Sequence, residues 1–265
     1  MPQSNSDPTQ NTFNISNSSI TNLVGSGSIQ YNAATQKAEV SPESENDKKV
    51  TLFLAAQPLT TARLRLDEEV REIEEGLKRS KYRDRFELIQ KWAVRPRDLQ
   101  RAMLECNPSI VHFSGHGIGR PTHTPSADTQ FPDAARKFQL VDPPVNPAGT
   151  FEEGIILEDQ VGQPKLISTE ALSTLFELFA DRVQCVVLNA CYSERQAQAI
   201  AQHIPYVIGM NQAIGDRAAI EFAIGFYDAL GAGETIERAY QLGQVAIQME
   251  GIAEHLTPVL VPKSN

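Results

Sequence analysis

Four short, almost unbroken apolar runs constrain the fold most: "VTLFLAA" (50–56), "SIVHFS" (109–114), "VQCVVLN" (183–189) and "YVIGM" (206–210). Strands that are apolar on both faces must be covered on both faces, as in a parallel sheet packed between helices. The segments between the runs supply the covers. Over 62–80, Leu66, Val70, Ile73 and Leu77 fall on one helical face, and Glu68, Glu69, Glu72, Glu74 and Glu75 read as its solvated side. "FELIQKWAV" (86–94) reads as another strand and "RPRDLQRAMLEC" (95–106) as a helix. Helices are also expected over 194–203, 216–230 and 234–249, with "TPVLVP" (257–262) as a closing strand. Strands alternating with helices predict an α/β fold, a mostly parallel sheet with helices on both faces.

The composition shifts near residue 50. Residues 1–36 are rich in Asn, Ser, Thr and Gln, with Asp7 their only charge short of Lys37, and they cannot bury enough apolar surface to offset their ordering entropy alone. Residues 37–49 read as a charged linker and 50–265 as the folded domain. Within that domain, 118–153 carries six prolines without clear periodicity and reads as an insertion loop. The formal charge of −9 argues against nucleic acid or an anionic membrane surface as partner. Three cysteines do not make a disulfide framework, and no apolar run approaches the roughly 18 residues a membrane span needs. The first residues lack a basic-then-apolar leader pattern, so a cytoplasmic location is expected.

Ligands of open parallel sheets bind beyond the carboxyl ends of the strands. "HFSGHG" leaves one such end and "NACYS" another, which places His116 and Cys191 on the same edge. A cysteine beside a histidine is a nucleophile–base pair. Gly115 and Gly117 flank His116 and allow a close backbone approach, with the Gly117 amide a candidate oxyanion donor. Ser193-Glu194-Arg195-Gln196 has the form of a capping box, so Ser193 is expected to cap the next helix. Cys191 would then sit beside a helix N-terminus that favours its thiolate.

"PSIVHFSGHG", "GIILED" and "VVLNACYS", in this order, resemble the CHAT domain, a branch of the caspase–separase cysteine peptidase clan. "LRLDEEVREIEEGL" and "AIEFAIGFYDALGAGETIERAY" resemble that domain as attached to bacterial effectors. The resemblance implies a caspase-like three-layer sandwich and a cysteine endopeptidase acting on a protein or peptide substrate without metal or other cofactor. His116 would be the general acid/base, Cys191 the nucleophile, and the amides of Gly117 and Cys191 the oxyanion hole. By the same resemblance Asp216 would line an S1 pocket for a basic P1 side chain. As an Asp after Gly at a helix start, it also reads as a plain N-cap.

Other candidates read as structural. His112 is expected to be a hydrogen-bonded core residue, Cys106 and Cys185 inert, and His203 and His255 surface or turn residues. Glu158 and Asp159 are expected to face solvent after a hairpin. Residues 11–32 are uncharged, Asn- and Ser-rich and proline-free, which suits cross-β stacking. "LVGSGSIQYN" within them loosely resembles amyloid signalling motifs, which would recruit the chain to an upstream sensor or to copies of itself. The enzyme would then be a proximity-activated effector in bacterial defence or regulated cell death, with "ARKF" (135–138) as a candidate self-cleavage site. The competing classes are a non-catalytic scaffold that assembles through its N-terminal segment, and a cysteine hydrolase of small amides.

Overall fold

A computed structural model of the chain describes residues 48–119 and 153–263. The segment expected to recruit partners, nearly all of the expected linker, most of the proline-rich stretch and "ARKF" lie outside the described residues.

The main sheet has six strands in the order β2-β1-β3-β7-β8-β9: β1 (Lys49–Ala55), β2 (Phe86–Lys91), β3 (Ile110–Ser114), β7 (Cys185–Asn189), β8 (Tyr206–Met210) and β9 (Pro258–Pro262). The first five run parallel and β9 closes the edge antiparallel to β8. β2 is shorter than the apolar run suggested. Ala93 adopts a positive φ of 51° and Trp92 stays exposed, which ends the strand before Val94 turns back into the core.

Two buried clusters flank this sheet. One face packs on α2 (Pro96–Cys106), α3 (Thr169–Glu177) and α4 (Glu194–Ile200), around Leu52, Leu54, Val111, Phe113, Val186 and Leu188. The other packs on α1 (Leu66–Arg79), α5 (Asp216–Ala232) and α6 (Ile236–Met249), around Phe53, Ile110, Cys185 and Val187. The division follows the two-residue period of the strands. The expected three-layer α/β sandwich with a mainly parallel sheet is what the chain forms.

The second sheet was not evident from local pattern. β4 (Gly117–Ile118), β5 (Gly154–Glu158) and β6 (Pro164–Ser168) form an antiparallel sheet with β5 in the middle. Ile118, expected to open the insertion loop, is therefore a strand residue. Glu158 also departs from expectation, whereas Asp159 is partly exposed at the hairpin turn. Glu158 is buried and accepts the Gln57 backbone N–H at 3.0 Å. Asp159 Oδ1 accepts the N–H groups of Val161 and Gln163, both at 2.8 Å, and so fixes the β5–β6 turn.

Glu69 corrects the reading of α1. It is 3% exposed, lies with Leu66, Val70 and Ile73 on the buried face, and points into the sheet.

Candidate active site

In the order of the main sheet, the chain moves from β1 outward to β2, then returns to the other side of β1 for β3. This reversal opens a crevice at the carboxyl ends of the central strands. A cavity of about 260 Å³ lies there, lined by the segments after β1 (Ala62–Leu66), β3 (Ser114–His116), β7 (Asn189–Cys191) and β8 (Ile214–Ile220). His116, Cys191 and Asp216, expected from sequence to be site residues, all line it.

His116 is 5% exposed. Its Nε2 lies 2.8 Å from the Ala62 carbonyl oxygen. That oxygen also accepts Gln57 Nε2 at 2.8 Å, while Gln57 Oε1 accepts the Leu64 N–H at 2.8 Å. Gln57 thus shapes the loop that orients the histidine, a role with no sequence signal. Burial pushes the His116 pKa down, partly opposed by the bond to Ala62. Burial therefore favours the neutral ring.

Cys191 is partly exposed, and its thiol donates to the Ile214 carbonyl at 3.8 Å. Burial raises its pKa, with Glu254 and Asp216 adding to the rise. Burial thus works against the charged form of each side chain, and so against the thiolate expected from a capped helix start. α4 also lacks the expected cap. It is only seven residues long, and Ser193 makes no cap bond with its side chain. Instead the buried Ser193 hydroxyl donates to the Leu188 carbonyl at 2.8 Å and accepts the Met210 N–H at 2.9 Å, joining the ends of β7 and β8.

Gly117 lies against the backbone of Cys191. A Cβ at this position would fall 2.3 Å from the Cys191 carbonyl oxygen, so only glycine fits. The Ile156 N–H donates to the His116 carbonyl, which makes Gly117–Ile155 a non-hydrogen-bonded pair. The Gly117 N–H is thereby left out of the β4–β5 ladder.

Asp216 is the first helical residue of α5, one place beyond the N-cap. The cap position belongs to Gly215, whose N–H donates to Glu254 Oε2 at 2.7 Å. Burial raises the Asp216 pKa, countered by the Arg65 backbone and reinforced by Glu69.

The CHAT domain family profile matches residues 23–256 of this chain. The chain belongs to the CHAT domain family. It is also 23% identical over 223 residues to a Roc-COR-CHAT protease from an unknown prokaryotic organism. That alignment covers 82% of this chain but only 18% of the relative.

In this CHAT domain His112 is a fully buried core residue, as expected. Its Nδ1 meets the Tyr227 hydroxyl at 3.1 Å and its Nε2 meets Glu69 Oε1 at 2.9 Å. Burial pushes up the thiols of Cys106 and Cys185, which suits inert residues. His203 and His255 sit partly exposed in turns. Tyr192, next to Cys191, holds a left-handed φ of 56°, a strained conformation for a non-glycine residue without a sequence signal. Among the described residues, no group of three or more His, Cys, Asp or Glu side chains is placed to hold a metal ion, and no helix is long and apolar enough to cross a membrane.

Proposed function

We propose that this CHAT domain is a cysteine endopeptidase. The observation that carries the reading is the shared cavity. His116 and Cys191 open into it from the ends of neighbouring parallel strands, with Gly117 packed on the Cys191 carbonyl. The family, and the word protease in the name of the relative, support the same class.

In the proposed reaction, His116 takes the Cys191 thiol proton as Sγ attacks the scissile carbonyl carbon. The amides of Gly117 and Cys191 receive the oxyanion, each such donor contributing about 3 kcal/mol. The tetrahedral adduct collapses, the C–N bond breaks, and the imidazolium delivers its proton to the departing amine. Water then gives a proton to His116 and attacks the thioester, and the carboxylic acid leaves as Cys191 recovers its proton. Burial disfavours both charged forms, so in this reading proton transfer to His116 accompanies the attack of Sγ.

A basic P1 side chain fits Asp216, a half-buried carboxyl group on the cavity wall. Recruitment through residues 11–32, to a sensor or between copies, would bring such an enzyme to its substrates in a defence or cell-death response.

Peptide-library profiling of the wild type against Cys191→Ala tests the reading, with and without forced clustering through the N-terminal segment. Cysteine-dependent cleavage supports it. Identical profiles under both conditions would favour the scaffold.

A further inference from the structure

We propose that Glu69 is a positioning residue that sets the approach of His116 to Cys191 by tying together the two strand ends that carry them. This rests on the peptidase reading and deepens it.

The geometry is a single carboxyl group reaching two strands. Glu69 Oε2 accepts the Ser114 hydroxyl at 2.5 Å, and Oε1 accepts the Asn189 amide at 2.7 Å and His112 Nε2 at 2.9 Å. Ser114 and Asn189 are register partners and the last residues of β3 and β7. His116 lies two places beyond the first, and Cys191 two places beyond the second. Glu69 therefore holds the equivalent position on both arms of the site. All four side chains are almost fully buried, the most exposed being Asn189 at 4%. A carboxyl group in such surroundings is tolerated only when its oxygens are satisfied, and here three donors satisfy them. With helical sterics fixing Glu69 on α1, a shift of either strand end breaks a bond. Small misplacements of reacting groups cost up to about a hundredfold in rate.

Three further features separate positioning from plain packing. Tyr227 meets His112 through the ring nitrogen that does not face Glu69, so it belongs to the same buried network without a hydrogen bond to Ser114 or Asn189. Gln at position 69 would still accept from Asn189 and His112 and could donate to the Ser114 hydroxyl, which is able to reverse its role. Ser114→Ala removes only the tie at the end of β3 and leaves the His112 bond further back on that strand.

The test uses full-length protein and two readouts: steady-state cleavage of a peptide cut in a Cys191-dependent manner, and site-resolved mass spectrometry of Cys191 alkylation by iodoacetamide. Glu69→Ala should lower kcat about tenfold or more with little change in KM, and should alter the alkylation rate. Glu69→Gln should recover most of both, and Ser114→Ala should lower kcat while melting close to the wild type. Tyr227→Phe should leave both readouts near wild type, whatever it does to the melting temperature. If Glu69→Ala retains the wild-type kcat and alkylation rate, the proposal is wrong. It is equally wrong if Tyr227→Phe loses as much kcat as Glu69→Ala, since the network would then act only through overall stability. If the wild type cleaves no peptide, the peptidase reading fails, and the alkylation rates still report whether Glu69 governs Cys191.

Discussion

The Nε2 atom of His116 lies 2.8 Å from the carbonyl oxygen of Ala62. A carbonyl only accepts, so Nε2 carries the proton in the neutral ring and Nδ1 is its basic nitrogen. Burial holds the imidazole pKa below its ordinary range. The neutral form is the competent base, so activity should persist into more acidic solution than an exposed histidine would permit. The acid limb of kcat/KM against pH checks this, and a limb above the ordinary imidazole range would contradict it. The same shift affects folding. The unfolded chain binds the proton more readily, so the His116 contribution to stability is retained above the unfolded pKa and lost as pH falls through the folded one.

Gly117→Ala should reduce kcat/KM by about a hundredfold, because the added methyl must displace either β4 or the Cys191 carbonyl. Kinetics with a cleaved peptide would show it. A variant with unchanged kcat/KM would remove Gly117 from the oxyanion site.

Asp216→Asn should cost about tenfold or more in kcat/KM for a P1 arginine substrate relative to its neutral isostere, the worth of a charge-assisted hydrogen bond. Burial disfavours the Asp216 charge, so the melting temperature should hold or rise. Selectivity for basic P1 should also weaken as pH falls and the carboxyl group takes up its proton, earlier than for an ordinary aspartate. Equal selectivity in the variant and wild type would withdraw the S1 role.

Ser193→Asp separates two accounts of one hydroxyl. Aspartate is as good an N-cap as serine, so a capping role predicts no loss. The buried bridge predicts destabilisation of about 1–3 kcal/mol or more, since aspartate cannot donate to the Leu188 carbonyl while ionised. Chemical denaturation measures the difference.

The parallel sheet was legible because strands covered on both faces must be apolar throughout, as "VVLN" and "YVIGM" are. The placement of His116 and Cys191 followed from the rule that strand ends carry sites. Ser193 misled because a capping box is a local pattern, whereas the hydroxyl is claimed by Leu188 and Met210 from the sheet. The β4–β5–β6 sheet was hidden because β4 is two residues long and its partner lies far along the chain. Glu69 was misread, although a signal existed. It falls three places after Leu66 and four before Ile73, on the apolar face of α1. Ser114 and Asn189 are polar ends of otherwise apolar strands, and His112 shares the face of Ser114 by two-residue alternation. Buried donors on a sheet and an acid on the helix stripe facing it imply one another.

The bond from α1 to a paired rung of the central sheet has a consequence for dynamics. A fluctuation that lifts α1 would break the Glu69 bonds to both strand ends at once. Hydrogen exchange at the α1 amides would therefore report how often both ties open together.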